Sequence, residues 1–281
     1  MRSKHHIVAL LVCLGALLSC SVKENREECP YWLRVDVKPA LGAADTVAVR
    51  CWSSEKKLFF ESLPVADYAD SLVYERVINR RDVLIATWWN EKTYHKAQES
   101  ENYFCCDYGF AADSLYGGHL VVDTHTDDVV LSTPMHKQFA TVFVTFKDYS
   151  GSLNANFFLE SDYNALDVKT LTPCSLKLTG DPDYDIFHAR LVRQGPESRL
   201  FVTRILRQPS DVFPSTMRIV AKDDMGNVRW RLNLEEILSE YNEMIDWDKE
   251  SLDDIHLTVT DNEFAVRPED WEEGFDKDDD F

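Results

Sequence analysis

From Trp32 onward, apolar residues recur at every second position, and that period dictates β-structure before anything else about the chain is considered. Leu33, Val35 and Val37 interleave with Arg34, Asp36 and Lys38. Val47, Val49 and Cys51 interleave with Ala48, Arg50 and Trp52, and Val83, Ile85 and Thr87 with Leu84, Ala86 and Trp88. Successive strand side chains point to opposite faces, so each segment predicts one buried and one wetter face of an antiparallel sheet. Residues 139–146 are apolar on both faces, which predicts a central strand, with Pro134 ahead of its start. Further strands are expected at 153–160, 186–192, 200–206, 217–222, 255–260 and 263–266.

Residues 218–232 read as a hairpin turning at Asp224-Met225-Gly226-Asn227, after which Val228, Trp230, Leu232 and Leu234 share a face. One helix is expected next. Asn233 caps it, Glu236 stands at the spacing of a capping box, and Leu234, Ile237, Leu238 and Tyr241 form one apolar stripe. Many short strands and few helices predict a mainly β fold of two sequential β-sandwiches, each of about 120 residues. With the turn-rich stretch 148–152 as boundary, the organisation reads 30–147 and 148–281. Hydrophobic residues make up 44% of the 281, too many for a disordered chain even at a net charge of −19.

The start of the chain is different in kind. Arg2 and Lys4 precede an apolar run from Ile7 to Leu18, which is too short to span a bilayer and reads as a signal-peptide core over residues 1–19. The run ends in Leu17-Leu18-Ser19-Cys20, which resembles a bacterial lipobox and implies cleavage before Cys20 and acylation of that residue. Several acyl chains hold a soluble domain on a membrane where one would be marginal. Residues 20–29 then form a charged tether. The acidic charge gives no attraction to an anionic bilayer and argues against nucleic acid.

Chemistry is sparse. No nucleophile elbow, zinc-protease motif, phosphate loop or dinucleotide fingerprint is present, so no catalytic residue, cofactor or small-molecule substrate is expected. His119, Asp123 and His125 share a strand face and carry metal-ligand chemistry, but polar strand ends explain them as well, and no metal is assigned. Asp181, Asp183 and Asp185 alternate as in a calcium loop, yet Ile186 and Val192 stand where glycine and glutamate are required. The acidic tail, 269–281, reads as a solvated end. Once Cys13 and Cys20 are set aside, Cys29, Cys51, Cys105, Cys106 and Cys174 remain, an odd number without zinc spacing.

A set of short motifs in order behind the lipobox resembles the fimbrial anchor lipoproteins of Bacteroides-type bacteria, base subunits of type V pili. They are Cys29-Pro30, Ala86-Thr-Trp-Trp-Asn90, Asp113-Ser-Leu-Tyr-Gly-Gly118, Met135-His-Lys137, Phe187-His-Ala-Arg-Leu191, the hairpin with its helix, and Phe264-Ala-Val-Arg-Pro-Glu-Asp-Trp271. The resemblance implies two transthyretin-like sandwiches, no enzymatic activity, and a lipid-anchored outer-membrane protein that fixes fimbriae to the cell and limits their length. Its partners would be fimbrial stalk or accessory subunits. It also implies an anchor that keeps its own first strand, here 32–38, and so offers no open groove to a neighbour's strand. The donor segment stays open, with the stretch through Trp271 as one candidate. The alternative reading is a glycan-binding surface lipoprotein with Trp52, Trp88, Trp89 and Trp230 as a stacking platform. A metal-dependent hydrolase around His119 and His125 is a third.

Overall fold

The structure is a computed structural model. It describes residues 29–40, 42–54, 56–68, 70–71, 73–90, 102–106, 109–126, 130–147, 156–176, 187–195, 199–211, 217–234, 245–260 and 266–268. Cys20, the signal and tether segments, residues 181–185, Trp271 and the acidic tail lie outside the described residues.

The first half contains β1 (Pro30–Asp36), β2 (Thr46–Ser53), β3 (Lys57–Pro64), β4 (Val73–Asn79), β5 (Val83–Trp89), β6 (Tyr103–Cys105), β7 (Tyr116–Val122), β8 (Val130–Leu131) and β9 (His136–Lys137). They form a three-stranded sheet, β4-β1-β8, facing a five-stranded sheet, β3-β2-β5-β7-β9. Tyr31, Leu33 and Val35 of β1 meet Val47, Val49 and Cys51 of β2 and Val83 and Ile85 of β5 in one core. The alternation read from the sequence is thus realised on the inner faces.

The second half contains β10 (Phe139–Lys147), β11 (Asn156–Ser161), β12 (Ala165–Asp167), β13 (Pro173–Cys174), β14 (Phe187–Arg190), β15 (Val192–Arg193), β16 (Leu200–Leu206), β17 (Arg218–Lys222), β18 (Val228–Asn233), β19 (Ile255–Thr260) and β20 (Val266–Pro268). A five-stranded sheet, β15-β16-β10-β19-β20, faces a four-stranded one, β14-β11-β17-β18. Phe146, Phe157 and Phe201 knit the two, with ring centroids 4.4–5.3 Å apart.

The halves share one strand plan. β1 lies between antiparallel β4 and parallel β8, as β10 lies between antiparallel β16 and parallel β19. The opposite sheets, β3-β2-β5-β7 and β14-β11-β17-β18, are antiparallel in the same order. This repeat makes β10 the first strand of the second sandwich, so the sheet pairing breaks before Phe139 and not in the turn-rich stretch after Lys147. Within these largely antiparallel sandwiches each half holds one parallel pair, β1–β8 and β10–β19. A parallel partner comes from far along the chain, and local turn chemistry carries no sign of it.

A second departure concerns the outer faces of β2 and β5. Trp52, Ala86 and Trp88 are buried, and they belong to the core of the second half, not to solvent. A small third sheet, β13-β12-β6, explains this: β6 leaves the first half to pair with β12, and its Phe104 meets Trp88 edge-on at 5.0 Å. In the β17–β18 hairpin Gly226 takes φ 84° and Asp223 accepts from the backbone of Met225 and Asn227, as the turn residues predict. A bulge at Ala221/Lys222 breaks the alternation and leaves Val228 exposed. Helical structure among the described residues is confined to 3₁₀ turns at Lys38–Ala40 and Val65–Tyr68 and to Leu234; the rest of the expected helix lies outside them.

The link between the halves crosses β7 at Gly118. A Cβ there would stand 1.7 Å from the Pro134 carbonyl oxygen, a backbone atom that cannot yield without moving the link. Gly118→Ala is expected to cost about 1–3 kcal/mol through this overpacking, read as a lower urea midpoint at unchanged slope.

Candidate functional site

β1 is the first strand of the described fold, so its surroundings are the first candidate. Its register with β4 is unbroken from Pro30↔Asn79 to Asp36↔Val73, and its other edge meets β8 at Arg34↔Val130 and Val35↔Leu131. Tyr31, Leu33 and Val35 are fully buried, and burial of each such side chain is worth about 1.5–3 kcal/mol. The first sandwich therefore contains its own first strand and has no strand-shaped gap between β4 and β8. On the solvent side Trp32 and Val77 are exposed opposite each other, beside an Arg34–Glu75 ion pair of 2.7 Å.

Just ahead of β1, the Cys29 carbonyl accepts from the Arg80 amide at 3.3 Å. The Arg80 guanidinium donates to the carbonyls of Thr124 (2.6 Å) and Thr126 (2.9 Å) and lies over the Tyr31 ring. The buried Thr124 hydroxyl accepts from the Arg81 amide and donates to the Arg81 carbonyl. The entry point is thus tied to both sheets.

The long edge strand β4 is blunted. Arg76 points inward over the Phe59 ring and pairs with Glu61, which also accepts from the Tyr74 hydroxyl at 2.7 Å. Inward charge of this kind discourages pairing with a foreign strand. Burial pushes the Tyr74 phenol well above its ordinary range. At the far end of the chain, β20 forms an edge of the second sandwich through antiparallel pairing with β19.

The second candidate is the junction between the halves. The Gln138 amide donates to the Leu115 carbonyl, its side chain donates to the Gly117 carbonyl, and its carbonyl accepts from the Arg207 amide. The Arg207 guanidinium donates to Gln138 Oε1 and to the carbonyls of Trp247 and Glu250. Burial lowers the Arg207 pKa, with Asp248 and Asp246 opposing that shift. Lys137 pairs with Asp254, whose carboxylate also accepts from the Thr141 amide at 2.8 Å. Burial acts to raise the Asp254 pKa, but those two donors outweigh it and hold the group below the usual carboxylate range. The Ala112 amide donates to the Arg204 carbonyl, the Arg204 guanidinium donates back to the Ala112 carbonyl, and Tyr116 meets Phe139 edge-on. No sequence motif marks Arg207, Gln138 or Asp254, because their partners are distant in the chain.

The metal candidates separate. His119 stands exposed within β7, whereas Asp123 and His125 converge with Asp82, a residue the spacing did not suggest, with ligand atoms within 4.8 Å. All three are exposed, in the turns that Arg80 ties together. Trp52, Trp88 and Trp89 are buried and form no exposed platform; the Trp230 side chain lies outside what is described. Of the five described cysteines, Cys51, Cys105 and Cys106 are buried, and Cys29 and Cys174 are half-buried. Among the described residues no helix is long and apolar enough to cross a membrane.

No protein-family model matches the chain, and no curated protein matches it. Solved structures do. A candidate adhesin of Bacteroides ovatus has a TM-score of 0.56 and 13% identity, covering 89% of this chain and 96% of that one. A candidate polysaccharide-binding protein of Bacteroides thetaiotaomicron has a TM-score of 0.54 and 13% identity, over 88% and 100%. The neighbours also include the fimbrial anchor protein Mfa2 of Porphyromonas gingivalis, with a TM-score of 0.48 and 12% identity over 82% and 91%. At 13% identity the first two establish a shared fold, and at 0.48 the third adds no further argument.

Two measurements probe these sites. Burial pushes the Cys51 thiol up to about 12, so at pH 8 a maleimide should leave Cys51 unlabelled in the native protein and label it in urea, as read by peptide mass. Asp254 contributes stability that is fully present above its unfolded pKa of about 3.9 and is lost as pH falls through its lower folded value. Asp254→Asn should therefore flatten the acid limb of stability measured by urea unfolding across pH.

Proposed function

We propose that the chain is a non-catalytic, lipid-anchored subunit that fixes a fimbria to the outer membrane and limits its length. The observation that carries this reading is β1. A subunit whose first sandwich keeps its own first strand offers no groove for a neighbour's strand to fill, and such a subunit ends a polymer built by strand addition. The lipobox at Cys20 supports attachment through acyl chains. The sandwich fold shared with a Bacteroides protein described as a candidate adhesin is compatible with a place on the cell surface.

Acyl chains on Cys20 supply the membrane affinity that an acidic domain surface does not. The tether delivers that attachment to Cys29 and β1, where hydrogen bonds to Arg80 and burial of Tyr31, Leu33 and Val35 join it to both sheets of the first sandwich. The second sandwich, with β20 at its edge, is then the part presented to fimbrial subunits. No step in this role needs a bond made or broken by the protein.

A glycan-binding surface lipoprotein is the second reading, favoured by the description of one structural neighbour as a candidate polysaccharide-binding protein and by the exposure of Trp32. Burial of Trp52, Trp88 and Trp89 removes the rings on which a platform was expected.

Two tests follow. Loss of the gene should release fimbriae into the medium or lengthen them; unchanged, cell-bound fimbriae would refute the role. Cys20→Ala should abolish palmitate labelling and leave the protein in the periplasm, and persistent labelling would overturn the lipid attachment.

A further inference from the structure

Strand registers fix which ends of the first sandwich are occupied. At one end, Pro30 of β1 pairs with Asn79, and the following turn, 80–82, is bonded to Cys29 and to Thr124 and Thr126 beyond β7. Val83 pairs with Val122 at this same end. At the opposite end, Trp89 pairs with Tyr116 and Tyr116 with Lys137, and the chain passes through Gln138 into β10. Cys29 therefore lies at the end of the sandwich opposite the Gln138 link, and β1 runs between those two ends.

The second sandwich is bonded to the Gln138 end and also packs on the outer face of β2 and β5 through Trp52, Ala86 and Trp88. β10 leaves the junction at Phe139, where it pairs with Leu206, and Gln208 beside that pair is bonded to Ser161 at one end of β11. Asn156, at the other end of β11, pairs with Lys222, so the exposed turn 223–227 lies at the end remote from the junction. The junction itself is cross-bonded through Gln138, Arg207, Lys137 and Asp254.

We infer that the first sandwich transmits tension between the membrane tether and the second sandwich along β1, with the β1–β4 and β1–β8 ladders loaded in shear. This inference rests on the anchoring role. Pulling on Cys29 draws β1 along its own axis, so its hydrogen bonds with β4 and β8 must yield together while Tyr31, Leu33 and Val35 leave the core in the same event. Pulling from the turn at residues 42–44, at the other end of β1, would strip the strand pair by pair. Forced unfolding follows the unfolding barrier, and a barrier that breaks a whole ladder at once is higher than one that breaks its pairs in turn. A fimbrial base under drag would need the first arrangement.

The test is single-molecule pulling of the mature chain, residues 20–281, made without lipid. One handle is placed in the turn at Met225. The other is placed either at the chain's N-terminus or in the turn at Gly42, where the φ of 76° and the open surroundings accept an insertion. Unfolding of the first sandwich is identified by the length of chain released. The N-terminal handle should give a several-fold higher rupture force than the Gly42 handle; equal forces, or the reverse order, would overturn the inference. The sequence within β1 is the same in both, so impaired folding of a core variant does not enter. Equal forces together with fimbriae that are shed on gene loss would end the tension path and leave the anchoring role standing. A force difference together with fimbriae that stay cell-bound on gene loss would support the shear geometry and end the role built on it.

Discussion

Everything about this molecule turns on one strand being inside its own sandwich. β1 carries Tyr31, Leu33 and Val35 into the first core, and without those side chains the three-stranded sheet would reduce to β4 and the two-residue β8. A pair so short has little independent stability. With β1 in place, the described sheet holds a strand between β4 and β8, and its edge strand β4 is blunted by Arg76 and Glu61. The same strand is the first of the described fold, and Cys29 just ahead of it is bonded to Arg80.

The second constraint is the junction. Two sandwiches joined only by a linker would move independently, but here β6 pairs across to β12, Trp88 packs on Phe104, and the link residue Gln138 bonds to both halves. Burying Trp52, Ala86 and Trp88 against the second core removes the wet outer face that β2 and β5 would otherwise present. The first sandwich is then a sheet pair buried on more than one face.

Much of this was legible in the sequence because a strand's period of two is local. The inner faces of β1, β2 and β5, the central strand at Phe139 and the turn around Gly226 all follow from residues within a few positions of one another. The misjudged features are those decided by partners far away. Whether Phe139–Lys147 opens the second half depends on its pairing with Leu200–Leu206 and Ile255–Thr260, which no local turn announces. Trp52 and Trp88 alternate like solvent-side residues and are buried because β6 crosses over. Asp82 joins Asp123 and His125 because β5 and β7 are neighbours, while His119, in the same short stretch of sequence, does not. The bulge at Lys222 turned Val228 outward against an otherwise correct alternation.

The central claim is that the protein sits at the membrane end of a fimbria and nowhere else along it. Immunogold electron microscopy of cells and of sheared fimbriae, with antibody raised against the first sandwich, measures this directly. The account predicts gold at the cell-proximal end of each fimbria and on the outer membrane, with the shaft unlabelled. Gold distributed along the shaft, or confined to membrane regions that carry no fimbriae, would contradict it.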